Sequence, residues 1–141
     1  MDDKGSTLIC LWGLTPMCHE DDAARSILCA YNMRKALMDK YRIKLSIGIS
    51  SGEVFAGVCG TSGSRKEFTS LGDVVNLAAR VMYWPKSRGI MGEIHTDLTT
   101  RNLASNMWSF KPKGHHEFKG KSISLPVYEP IFEIPGDIPY E

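Results

Sequence analysis

No apolar run in this 141-residue chain approaches the length needed to span a membrane. No basic block stands out and the formal net charge is only +1, so nothing in the composition points to nucleic acid. The four cysteines, Cys10, Cys18, Cys29 and Cys59, form no C-x-x-C pair, and their spacing fits no common zinc site. Cys10, Cys29 and Cys59 sit in apolar stretches, which predicts buried thiols and a cytosolic setting. The opening residues show no charged-then-apolar leader pattern. Repeats and low-complexity segments are absent. The stretch holding Gly48, Gly52, Gly57 and Gly60 lacks the Gly-Lys-Ser/Thr closure of a Walker loop. Tight turns and close backbone approach account for such glycines.

What is present is ordinary for one small globular domain, with an apolar fraction of 43%. Residues 7–12 form a continuous apolar run, which predicts a strand buried on both faces after an Asp3-Lys4-Gly5 turn. A hairpin needs a strand before its turn, and almost nothing precedes this one, so the sequence reads as a domain without its beginning. Residues 23–40 follow helical spacing through Ala24, Ile27, Leu28, Tyr31, Ala36 and Leu37. Residues 43–50 alternate Ile43, Leu45, Ile47 and Ile49 on one face, and residues 53–58 are expected to return antiparallel to them after a turn at Ser50-Ser51-Gly52. Residues 61–66 read as an exposed loop.

The most informative stretch runs from Glu67 to Met82. Phe68, Thr69 and Leu71 suit a short strand, Gly72 permits a sharp exit, and Asp73 is a good helix N-cap. Val74, Leu77, Ala78 and Val81 then share one helical face. Asn76 and Arg80, four residues apart, stack on another side near the helix start. An amide and a guanidinium at a helix N-terminus suit a phosphate, although the same spacing also describes an ordinary amphipathic helix with an exposed arginine.

Residues 83–92 read as a connection containing Pro85, residues 93–95 as a short strand, and Thr96 as the cap of a helix ending near Leu103. A strand with a turn at residues 112–114 is expected next. A last strand over residues 125–132 carries Pro126 and Pro130, an edge-like pattern. His115-His116 reads as surface. Together these elements predict an α+β layer fold with a mostly antiparallel sheet, occupying residues 1–132 and followed by a tail at 133–141.

Gly72-x-x-Val75-Asn76-x-Ala78-x-Arg80 resembles the signature of class III nucleotide cyclases, the adenylyl and guanylyl cyclase catalytic domains. Glu67-Phe68-Thr69-Ser70-Leu71-Gly72 is most similar to the second catalytic domain of soluble, bicarbonate-responsive adenylyl cyclases, and the resemblance extends from Asp3-Lys4-Gly5 to Val127-Tyr128. It implies a ferredoxin-like cyclase palm lacking its first strand and helices, with residues 61–66 at the tip of an arm. It also implies conversion of ATP to cyclic AMP and pyrophosphate. Arg80 would contact the α-phosphate, Asn76 the ribose, Thr69 the adenine and Lys119, in Phe118-Lys119-Gly120-Lys121, the terminal phosphates. ATP is favoured over GTP because guanylyl cyclases often place a cysteine where Thr69 stands.

The family's two metal-binding aspartates and its base-contacting lysine have no match in this chain. One aspartate and the lysine belong to upstream strands, and the other aspartate falls near Gly5-Ser6-Thr7. Asp2 and Asp3 lie in the turn, and Lys4 is a poor stand-in for the lysine. No residue here is therefore assigned to metal. Mg²⁺ or Mn²⁺ would be held mainly by a second cyclase domain, in the same chain or another, and the active site would form between the two. The alternative is a non-catalytic cyclase-like module that regulates or dimerises.

Overall fold

The computed structural model describes residues 6–14, 16–52, 55–59, 67–71, 73–86, 88–117 and 124–132, with side chains described for all of these except 55–59, 67–71, 86 and 116–117. In order, the elements are α1 (Asp22–Tyr41), β1 (Ile47–Ile49), β2 (Phe55–Cys59), β3 (Glu67–Leu71), α2 (Asp73–Lys86), β4 (Ile94–Thr96), α3 (Leu98–Ala104), β5 (Phe110–Glu117) and β6 (Ser124–Pro130). Four strands form a sheet in the order β1-β4-β6-β5, and β2 and β3 form a separate two-stranded ribbon. Among the described strand pairs only β1–β4 is parallel, so the α+β, mostly antiparallel expectation holds.

Alternation along the strands sends side chains to two faces. Ile49 and Phe110 pack on Ala24, Ile27 and Ala104, which places α1 and α3 on one side. Trp108 donates its indole N–H to the Ala24 carbonyl at 3.2 Å and meets Phe132 edge-on at 5.3 Å, closing that core. On the other side α2 brings Val81, Leu77 and Trp84 against Val127 and Leu125. Among the described residues no helix is long and apolar enough to cross a membrane.

Several local expectations are corrected. Residues 6–14 carry no strand, and Leu8, Ile9 and Trp12 are 78%, 62% and 44% exposed. A strand exists only by hydrogen bonding to a neighbour, and no described strand lies beside this segment. Cys10 is accordingly exposed, and Cys29 is half-buried. β2 does not return along β1. It pairs with β3, while β1 pairs with β4, because the β2–β3 ribbon satisfies its own ladder through five registered pairs. α2 runs through Pro85 to Lys86, since a proline in the last turn removes one donor without a long helix beyond it to break. Residues 112–114 make a bulge inside a continuous β5, with Gly114 at φ +95°, instead of a chain reversal. β6 is an interior strand. Its prolines are tolerated because β4 registers with it only at Tyr128, between Pro126 and Pro130.

The α3 cap is Asp97, one residue later than the sequence suggests, because Thr96 is taken into β4. The Asp97 carboxylate accepts from the Thr100 N–H at 2.9 Å, satisfying a donor that the first turn leaves without a helical partner. Burial pushes this carboxyl above the ordinary carboxylate range, against the lowering effect of hydrogen bonds from Thr100 and Ser51. A folded pKa above the unfolded one means stability is present at low pH and lost as pH rises through the folded value. Asp97→Asn keeps a capping side chain without the buried charge. Its melting temperature should gain on that of the wild type as pH rises from about 4, whereas Asp97→Ala should lose about 0.5–2 kcal/mol. Thermal melts of both variants across pH check this, and parallel curves for wild type and Asp97→Asn would contradict it.

Candidate functional site

The candidate site is built on α2, and α2 is placed by the small residues beneath it. A Cβ added at Gly48 would stand 2.2 Å from the Ala78 carbonyl oxygen and 2.6 Å from the Met82 nitrogen, so strand and helix backbones touch there. Two residues on, the Ser50 hydroxyl donates to the Val74 carbonyl. Two further, a Cβ at Gly52 would meet Val74 Cγ2 at 2.6 Å. Alternation gives positions 48, 50 and 52 the same face, and each is small enough to admit the helix. Close packing is thus the role of two of the four glycines singled out in the sequence.

With Leu77, Ala78, Val81, Met82 and Trp84 turned toward the sheet, Asn76 and Arg80 lie outside the packed stripe. Asn76 is exposed and Arg80 is partly buried. They share one side of the first half of α2, as i and i+4 residues must. The first turn also carries Asp73, whose negative charge suits a helix N-terminus. Thr69 lies in β3 opposite Gly57, and its side chain lies outside the described residues. So does the whole of Lys119. The structure therefore brings Asn76 and Arg80 together and leaves their relation to Thr69 and Lys119 undescribed.

A metal-dependent reaction needs oxygen donors near this helix side. Among the described residues, the group of His, Cys, Asp or Glu side chains close enough to share an ion is Glu93, His95 and Glu129. It stands on the sheet beside Trp84, the α2 residue four positions beyond Arg80. The sequence reading missed the Glu93–His95–Glu129 group. Glu93-x-His95 has the spacing of one strand face, but only the sheet topology brings Glu129 to it.

Comparison with known proteins bears on the chain as a whole. The sequence model of the adenylate and guanylate cyclase catalytic domain matches residues 4–128. The chain is 34% identical over 133 residues to adenylate cyclase type 10 of Homo sapiens, covering 92% of this chain and 8% of that protein. It is 33% identical over 87 residues to retinal guanylyl cyclase 2 of Homo sapiens, covering 60% of this chain and 7% of that protein. The crystal structure of the adenylyl cyclase CyaB from P. aeruginosa superposes with a TM-score of 0.71 at 26% identity, covering 86% of this chain and 65% of that one. The chain therefore spans less than a tenth of the length of these curated relatives.

The close approach at Gly48 yields a direct expectation. Gly48→Ala forces a methyl group into helix backbone that has no flexible end to move aside, and overpacking of this kind costs about 1–3 kcal/mol. Urea denaturation of the variant checks it; a midpoint equal to that of the wild type would show that α2 does not rest on β1.

Proposed function

This chain belongs to the adenylate and guanylate cyclase catalytic domain family, and from that membership we propose that it is the second-half type of adenylyl cyclase catalytic domain. In this reading residues 1–132 form the domain, 133–141 are a tail, and the setting is cytoplasmic. The domain completes an active site with a metal-bearing cyclase domain in the same or another chain. The observation that carries the proposal is the placement of Asn76 and Arg80 on one side of α2, outside its packed stripe and within the residues that the family model matches.

The ribose 3′-oxygen of ATP forms a bond to the α-phosphorus as the bond to the bridging oxygen of pyrophosphate breaks. The 3′-hydroxyl gives up its proton to solvent, and pyrophosphate leaves with the electron pair. Little covalent chemistry falls to the protein, so positioning and charge stabilisation dominate. Arg80 offers a planar fork of donors to the α-phosphate oxygens, where charge accumulates during transfer. Asn76 holds the ribose so that the 3′-oxygen faces the phosphorus. Thr69 reads the adenine edge with a hydroxyl that can donate or accept. Lys119 holds the terminal phosphates as a point charge. Mg²⁺ or Mn²⁺ would be held mainly by the partner domain and would further neutralise the triphosphate. Relatives of both base specificities occur, so the adenine preference rests on Thr69.

Alone, the chain should make no cyclic nucleotide from ATP with Mg²⁺ or Mn²⁺; robust turnover by the purified chain would refute the shared-site reading. Once it is combined with a metal-bearing first-half domain, Arg80→Ala should lower kcat by about 10²–10³ with a smaller change in KM. Asn76→Ala should act in the same direction, and the double variant should lose less than the product of the two. A folded Arg80→Ala complex with unchanged kcat would mean that α2 is not catalytic. Thr69→Cys should weaken the preference for ATP over GTP, read as the ratio of kcat/KM values. A wild-type complex that prefers GTP would overturn the assignment to ATP.

A further inference from the structure

We propose that Glu93, His95 and Glu129 form a transition-metal site of the zinc class on the α2 side of the sheet. Three features place them together. Gly48, the parallel partner of His95, lies against the α2 backbone, so His95 shares the α2 face. Glu93 precedes His95 by two residues and takes the same side. Glu129 follows Val127 by two, and Val127 packs on Val81 of α2. One donor atom from each of the three lies within 4.8 Å of the others.

The donor set suits such an ion, and the His95–Glu93 pair already stands at its donor spacing. His95 is fully buried, while the Glu93 and Glu129 side chains are 31% and 23% exposed, which leaves a path from solvent. His95 Nε2 stands 3.5 Å from Glu93 Oε1, long for a hydrogen bond. Bonds of about 2.0–2.2 Å to a tetrahedral zinc put neighbouring donors about 3.3–3.5 Å apart. Glu93 Oε1 is also shielded from solvent and makes no hydrogen bond among the described residues, a costly state for a carboxylate oxygen unless a cation meets it. One imidazole with two carboxylates favours zinc-class ions over Mg²⁺ or Ca²⁺, which prefer all-oxygen shells.

Lys113 is the competitor, with Nζ 3.7 Å from Glu129 Oε1; its long flexible stem lets the ammonium swing aside when an ion binds. The Trp84 ring stands edge-on to the His95 ring at 6.1 Å, and Arg88 stacks over Trp84 at 5.0 Å. The site therefore abuts the C-terminal part of α2. The proposal does not depend on cyclase activity.

The full chain, carrying Cys10→Ser and Cys18→Ser to remove exposed thiols, is dialysed against Zn²⁺ and separately titrated with Co²⁺. One equivalent of Zn²⁺ per chain is expected, with a raised melting temperature. Bound Co²⁺ should give visible tetrahedral bands without near-ultraviolet thiolate charge transfer. Glu93→Gln and Glu129→Gln each retain shape and should each weaken Zn²⁺ binding at least ten-fold, with folding checked by circular dichroism. Failure to retain Zn²⁺, thiolate bands with Co²⁺, or an affinity unchanged in either folded variant would overturn the site.

Discussion

The contact on which the structure depends is that between the β1 backbone at Gly48 and the α2 backbone at Ala78 and Met82. A strand and a helix usually meet through side chains that fill the space between their backbones. Here the strand surrenders its side chain, and the Ala78 carbonyl would lie 2.2 Å from any Cβ placed there. That approach seats Val81 and Trp84 against Val127 and Leu125, and it fixes the rotation of α2 about its axis. The rotation decides which residues face outward, and those include Asn76 and Arg80. Core packing and the candidate chemistry are therefore set by one geometric constraint, and Ser50 and Gly52 extend it along the first turn of the helix.

The two longer helices, α1 and α2, were legible in the sequence because a period of 3.6 over 14–20 residues is hard to imitate. The strands were legible as apolar alternation, but their partners were not. Residues 43–50 and 53–58 look like the arms of a hairpin, yet pairing is decided by what else is available, and β4 and β3 claim them instead. The prolines of β6 resemble an edge signal until the short β4 register places them outside the shared ladder. Capping residues compete locally: Thr96 and Asp97 both qualify, and the strand takes the first. The segment 6–14 had the composition of a buried strand, but composition cannot supply a neighbour.

The candidate site divides along the same line. Asn76 and Arg80 are close in sequence, so helical geometry alone predicts their meeting. Glu93 and His95 share a strand face by spacing, whereas Glu129 joins them only because β6 lies beside β4. A short-range pattern can be read directly, while a site assembled across a sheet needs the topology first. The α2 contact ties the two regions, since Trp84, one helical turn beyond Arg80, packs on His95.

The central claim is that the outward side of α2 acts on the ribose and α-phosphate of a nucleotide shared with a second domain. Its most direct test is a crystal structure of this chain bound to a metal-bearing first-half cyclase domain and a non-cyclisable ATP analogue. The account predicts the Arg80 guanidinium within about 3 Å of an α-phosphate oxygen and the Asn76 amide at a similar distance from a ribose oxygen. A nucleotide bound with both side chains turned to solvent would contradict it.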